Sequence, residues 1–492
     1  METETDSTLE PANRAPLAAG TIVDGWQLEE KLHTGGMAHL WRVTRVSGGS
    51  GTEPASNDVP ADLPLIMKVP RIMGGEDPAS IVGFEVEQMI LPALQGPHVP
   101  RFVARGDFSR EPYIVMERID GPSLRARLDE APLAIDEVIE IGSRVATALH
   151  ELHRQHLVHL DVKPSNIVFR ADGTAGMVDF GLSHHDRLPD LLDEEFSLPM
   201  GTGPYISPEQ VQYVRDDPRS DLFALGVMLY HFTTGQRPFG SPVTVRGLRR
   251  RLYVDPIPPR ALRADCPPWL QEVILKCLEV KAERRWQSGA QLALALQDPT
   301  QVPLTARAQR AHVSNAFQRL KRWFFAIGAE PQTSPLEGVT SQVMRSPIVM
   351  AAIDVDQASG ELLDRLRETV RRIVVTEPGA RLACVSVMKT ARIGMDELVD
   401  AAGQSVHVKQ LVGLKHWARP ISKQLNLEDG RLTFHVLEAP DAATAIVEFA
   451  ARNQVDQIVM GARGNSTLRR YLGSVSSQVV AQADCTVTVV RA

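Results

Sequence analysis

No run of about 18 apolar residues, the length needed for a membrane-spanning helix, occurs anywhere in the 492-residue chain, so no span is expected. The acidic start METETDSTLE is not followed by an apolar stretch, which argues against a secretory leader. Cysteine is scarce. Cys266, Cys277, Cys384 and Cys485 lie far apart without a CxxC pair, which points to buried thiols in a reducing, cytoplasmic compartment. Positive charge is in deficit: 53 Lys and Arg stand against 60 Asp and Glu, a net charge of −7, which argues against a nucleic-acid partner.

What remains is an ordinary globular composition, long enough for about three domains. Residues 1–23 are polar and read as a disordered arm. From Trp26 to Met116 the chain shows short β-rich runs (TIVDGWQLEEKL, HLWRVTRV, LPLIMKVPRI, PYIVMERI), interrupted by a Gly/Pro/Ser-rich loop at 48–64. One helix-period stretch, ASIVGFEVEQMILPAL, lies among them. From about 120 to 300 helical spacing dominates, as in IDEVIEIGSRVATALHELH and PPWLQEVILKCLEV. Residues 299–345 form a basic linker: no Asp or Glu occurs between Gln301 and Ala329, while Arg307, Arg310, Arg319, Lys321 and Arg322 do. Within it, 313–328 has the pattern of a short amphipathic helix, to dock on a neighbouring domain or lie on a membrane surface. Residues 346–492 alternate buried-looking strands with helices, the pattern of a parallel sheet covered on both faces.

The strongest chemical signal is HLDVKPSN at 159–166 followed by VDFG at 178–181. A carboxylate for an incoming hydroxyl (Asp161), a Lys for a transferring phosphoryl group (Lys163) and two oxygen-bearing side chains for a divalent cation (Asn166, Asp179) are what phosphoryl transfer needs.

These motifs, in this order, resemble the eukaryotic-like bacterial Ser/Thr protein kinases over residues 24–298. The resemblance implies an α+β bilobal protein-kinase fold, with an N-lobe over 24–118 and a C-lobe over 119–298. It implies ATP as phosphoryl donor, Mg²⁺ (or Mn²⁺) as the metal, and protein Ser/Thr side chains as acceptors. KLHTGGMAHLW at 31–41 stands at the glycine-rich loop. It keeps Gly35 and adds Gly36, but places His33 and Ala38 where the family has glycine. Lys68 in IMKV is implied to reach the α- and β-phosphates, and Glu87 in FEVE to pair with it. Ile66 replaces the small residue usual above the adenine ring. Met116 takes the gatekeeper place, and the backbone from Glu117 to Ile119 is implied to bond the adenine edge. Thr202 and Glu209 in GTGPYISPE belong to the substrate-receiving segment, Asp221 to the helix beneath the catalytic loop, and Arg285 is the implied partner of Glu209. Leu160 stands where the family often has Arg. Residues 183–201 offer only Ser183 and Ser197 as acceptors, among Asp186, Asp190, Asp193, Glu194 and Glu195, so activity is expected without activation-segment phosphorylation.

In the last domain, GARGNSTLRRYLGSVSSQVV at 461–480 places Gly461 and Gly464 for close backbone approach to phosphates. Gly473 and Ser474 stand at a helix N-terminus that favours an anion. This resembles the universal stress protein family over 346–492, an α/β doubly wound domain with a five-stranded parallel sheet. The resemblance implies a second adenine nucleotide, with Asp354 at the nucleoside, and a homodimer through the apolar last strand CTVTVVRA. The spacing from Gly464 to Gly473 is one residue short of the family's. His407, His416 and His435 are scattered and read as packing or surface residues. The expected function is a Ser/Thr kinase with a nucleotide-sensing or dimerising stress domain; the rivals are a pseudokinase scaffold and an adenine-nucleotide sensor.

Overall fold

A computed structural model describes residues 17–35, 37–46, 60, 62–71, 78–108, 111–196, 198–312, 323, 346–356, 358–377, 379–390, 405–427, 430–462 and 473–491. Gly36, Ser197, Gly464, most of the 48–64 loop and all of 313–328 except Trp323 therefore lie outside the described residues.

One compact unit comprises residues up to Arg71 together with Val103–Arg118. Its sheet contains β1 (Ile22–Val23), β2 (Trp26–Thr34), β3 (Ala38–Arg45), β4 (Leu65–Pro70), β5 (Phe102–Arg105) and β6 (Ile114–Glu117), in the order β1-β2-β3-β4-β6-β5. Alternate residues of β2 and β3 turn inward, so Trp26, Leu28, Trp41 and Val43 pack with Met67, Val69 and Val115. The β-rich runs read from the sequence all form strands. β5 was not foreseen: four residues are too few to show an alternation.

The second unit holds residues 72–102 and 119–492. Helix α1 (Pro78–Ile90) ends where Pro92 opens a 3₁₀ turn. In α2 (Ile135–Arg154), Asp136 and Glu137 lie in the first turn and His153 and Arg154 in the last, which complements the helix dipole. Four short strands follow, β7 (Leu157–Val158), β8 (Ile167–Phe169), β9 (Ala175–Met177) and β10 (His184–His185), paired as β7–β10 and β8–β9. Then come α3 (Leu191–Glu195), α4 (Pro208–Val211), α5 (Arg219–Thr234), α6 (Pro268–Cys277) and α7 (Gly289–Gln297). Helix α5 is apolar almost all round and correspondingly buried. The folded chain continues past 298: Val302 and Ala308 are buried, and the Glu272 carboxylate of α6 accepts the backbone N–H groups of Thr305 (3.1 Å) and Ala308 (3.0 Å). Arg307 pairs with Glu272 and Glu279, each at 2.8 Å, so part of the expected linker is packed on α6.

The C-terminal segment runs β11 (Ile348–Ala352), α8 (Gly360–Thr376), β12 (Arg381–Lys389), α9 (Val406–Leu425), β13 (Leu432–Ala439), α10 (Ala442–Arg452), β14 (Gln457–Ala462), α11 (Ser474–Gln482) and β15 (Thr486–Arg491). All neighbouring strands are parallel, in the order β13-β12-β11-β14-β15. The order reverses direction between β11 and β14, which opens a crevice at the strands' carboxyl ends. Cys266, Cys277 and Cys384 are buried and all four thiols are free; burial pushes the Cys277 thiol up to about 12. Among the described residues, no helix is long and apolar enough to cross a membrane.

Candidate active site

The loop between β7 and β8 is held from below by one carboxylate. Asp221 on α5, 1% exposed, accepts the N–H groups of His159 and Leu160, both at 2.9 Å, and contacts the His153 ring at 2.9 Å. Leu160 lies at φ +62°, a conformation that costs a branched residue about 1 kcal/mol or more. Burial of its side chain and a hydrogen bond from Gln210 to its carbonyl (2.8 Å) hold it there. This turn presents Asp161.

The Asp161 carboxylate gathers the rest. Its Oδ1 accepts the Thr202 hydroxyl at 2.7 Å and the Thr202 N–H at 3.0 Å. Its Oδ2 accepts from Lys163 Nζ at 2.5 Å and from Asn166 Nδ2 at 3.2 Å. Lys163 Nζ also donates to Thr202 Oγ1 at 3.0 Å, so carboxylate, ammonium and hydroxyl form a closed triangle.

Asn166 bears on metal binding. Its Nδ2 donates to the Asp161 carboxylate and carbonyl, which leaves Oδ1 as an acceptor, 3.3 Å from Ser165 Oγ. The Asn166 carbonyl accepts the Val178 N–H at 3.0 Å, which fixes Asp179, at φ +69°, one residue on. An amide oxygen and a carboxylate are hard oxygen donors of the kind that could hold a small divalent cation. Phe180 is buried, with its ring 5.3 Å from that of His159.

Downstream, Ser207 and Gln210 cap α4 reciprocally. Glu209 forms a two-pronged ion pair with Arg285, at 2.5 and 2.7 Å, and accepts the Ser220 hydroxyl at 2.7 Å. The pair expected from the sequence is thus present, with Arg285 only 2% exposed.

The remaining kinase-like residues divide between the two units. In the strand unit, Gly35 closes the β2–β3 turn by donating its N–H to the Ala38 carbonyl at 2.9 Å. Lys68 on β4 is in register with Leu40 and Ile114, and Ile66 with Met116; Glu117 ends β6. In the other unit, Glu87 on α1 is 1% exposed and Ile119 packs over Gly176.

The segment between Asp179 and Thr202 carries a second polar cluster. Ser183 is buried, with its hydroxyl on the His159 carbonyl at 3.2 Å. Asp190 caps α3, pairs with Arg215 at 2.7 Å and meets the His184 ring at 3.0 Å. Burial would raise the Asp190 pKa, but Arg215 and His184 hold it far below the usual carboxylate range. Burial would likewise lower His184, but hydrogen bonds to Asp186 and Asp190 outweigh it and raise the ring to about 9. A group raised in the folded state stabilises fully below its unfolded pKa of about 6.5, and that contribution fades as pH rises through its folded value. The melting temperature of the native chain should therefore exceed that of His184→Gln at pH 6, with the gap closing as pH rises through about 9. A gap independent of pH would refute this.

At the C-terminal crevice, a cavity of about 200 Å³ is lined by Asp354, Gly461, Gly473 and Ser474. The sequence placed these four together, and they do meet. Gly461 also answers to packing, since a Cβ there would come within 2.9 Å of Leu362 Cδ2. Nothing in the sequence pattern singled out His435. It is fully buried and its Nδ1 lies 2.9 Å from Glu195 Oε1 on α3, rather than serving packing alone.

Residues 79–297 match the protein kinase domain family, and residues 346–491 match the universal stress protein family. Similar curated proteins include the serine/threonine-protein kinase PknB of Mycolicibacterium smegmatis, 32% identical over 254 residues, or 50% of this chain and 40% of that protein. PknB of Mycobacterium tuberculosis is 30% identical over 301 residues, 59% of this chain and 47% of that protein. PknL of Mycobacterium bovis is 32% identical over 237 residues, 48% and 59% respectively. The chain spans about half the length of the curated relatives it matches.

Proposed function

From a chain that joins a protein kinase domain (79–297) to a universal stress protein domain (346–491), we propose a protein kinase that transfers the γ-phosphoryl group of ATP to Ser or Thr hydroxyls. The observation that carries this is the triangle of Asp161, Lys163 and Thr202. A carboxylate oxygen there already receives a hydroxyl at 2.7 Å, with an ammonium 3.0 Å from that hydroxyl's oxygen.

In this reading Asp161 accepts or orients the incoming hydroxyl, and Lys163 balances charge on the transferring group. Asn166 and Asp179 would hold Mg²⁺, or Mn²⁺, which supplies charge neutralisation at the phosphate oxygens. Lys68 engages the α- and β-phosphates with Glu87 as its partner. Gly35 and Gly36 cover them, and the backbone from Glu117 to Ile119, beside Met116, receives the adenine. The substrates are proteins, and the setting is cytoplasmic. The crevice of Asp354, Gly461, Gly473 and Ser474 takes a second adenine nucleotide, for which Gly464 is also assigned a role; its place at the sheet's switch point supports this. Edge strand β15 would pair with a second copy.

The test is transfer of labelled phosphate from ATP with Mg²⁺ or Mn²⁺ to a generic basic protein. Wild type should label it, and Lys68→Met should lose about 10²-fold or more in rate, since a charge that positions phosphates is removed. If wild type fails with both metals, the pseudokinase scaffold replaces this function.

A further inference from the structure

Helix α3, in the middle of the segment between Asp179 and Thr202, is bound by the C-terminal domain. Glu194 receives both guanidinium nitrogens of Arg381 on β12, each at 2.5 Å. Glu195, 3% exposed at its side chain, meets Nδ1 of the buried His435 on β13 at 2.9 Å. His435 Nε2 lies 3.0 Å from Thr433 Oγ1 and 3.3 Å from Glu194. At the end of α10, Arg452 donates to the Phe196 carbonyl at 2.8 Å. Gly430, before β13, lies so near the chain ahead of α3 that a Cβ there would come within 3.2 Å of Pro189. The same domain also reaches α1, where Lys415 on α9 pairs with Glu85 at 2.6 Å. An acidic face (Glu85, Glu194, Glu195) thus sits in a socket built from Arg381, Lys415, His435 and Arg452.

This socket touches the parts that phosphoryl transfer depends on. Helix α3 packs against α1, which carries Glu87. Helix α1 approaches the Asp-Phe-Gly turn so closely that a Cβ on Gly83 would meet the Gly181 carbonyl at 3.0 Å. Downstream of α3 the same segment delivers Thr202 to Asp161 and Lys163. The catalytic loop contributes Leu160, an aliphatic residue, where a guanidinium could have gripped the segment. Arg215 and His184 hold Asp190 from one side, and the C-terminal domain supplies the other support.

We propose that the universal stress protein domain is an intramolecular docking partner of the activation segment, and that its Arg381–His435–Lys415 socket sustains catalysis by holding α3 against α1. The inference rests on the kinase function proposed above. It makes the C-terminal domain part of the catalytic assembly through direct contact, independently of the basic linker.

The test is a charge exchange in the full chain. Arg381→Glu is compared with Arg381→Glu combined with Glu194→Arg, and amide hydrogen exchange over 188–196 is read beside the rate of phosphate transfer. Arg381→Glu should speed exchange in 188–196 and slow transfer, each by about tenfold, a typical coupling between sites. The double variant should recover most of both. Unchanged exchange in Arg381→Glu overturns the docking. Faster exchange with an unchanged or higher rate overturns the support of catalysis and makes the contact neutral or inhibitory. Should wild type transfer no phosphate, the kinase function and its dependence on the socket both fall, while protection of 188–196 still decides the docking.

Discussion

Asp161→Asn should reduce phosphate transfer by about 10² to 10⁴-fold, the range expected when a positioned proton acceptor is lost. The substitution is nearly isosteric, so Thr202 can still donate to the remaining carbonyl oxygen. What disappears is the charge that Lys163 Nζ faces at 2.5 Å and the basicity that accepts a hydroxyl proton. Binding of ATP should change little, because Asp161 is assigned to the acceptor and not to the nucleotide. The check is a steady-state rate and an ATP affinity measured on the same preparation, with unfolding midpoints to show that the chain is intact. If the variant retained transfer within about threefold of wild type, Asp161 would be no base, since the loss would lie far below that range.

Arg285→Ala should cost about 3–5 kcal/mol, the usual penalty for leaving one member of a buried ion pair without its partner. Glu209 would lose both guanidinium bonds, and its side chain is only 11% exposed. Three backbone carbonyls, those of Arg219, Glu279 and Val280, would lose donors as well. A domain is stable by only about 5–15 kcal/mol, so this single change should shift the urea midpoint strongly. Replacing both members by Leu should be less damaging than Arg285→Ala alone, because no charge is then stranded. A loss under about 1 kcal/mol would mean that the pair is solvated and that the burial argument fails.

The residues of the candidate active site were legible because their chemistry is compressed into short segments. Asp161, Lys163 and Asn166 share one loop, so their spacing alone implied one polar cluster, and the structure brings them together with Thr202. Strands and helices of the C-terminal domain were equally plain, since buried parallel strands are nearly continuous apolar runs. Other features left no such trace. Arg381 and Glu194 are 187 residues apart, and His435 and Glu195 are 240 apart; no local period links them. His435 looked ordinary because a single imidazole has no pattern until its neighbours are known. The packing of 302–310 was hidden for a different reason: it is anchored by a Glu272 carboxylate on backbone N–H groups, which hydrophobic patterning does not register.

That anchor has a consequence for where the protein can be cut. The natural seam suggested by composition falls at 298, yet Glu272 is almost completely buried and takes its hydrogen bonds from Thr305, Arg307 and Ala308. A truncation at 298 would uncover the bed beneath Val302 and Ala308 and strand a carboxylate inside α6's packing surface. The folded module therefore extends at least to Arg310, whose guanidinium lies 3.9 Å from Asp255, and a cut should fall beyond it.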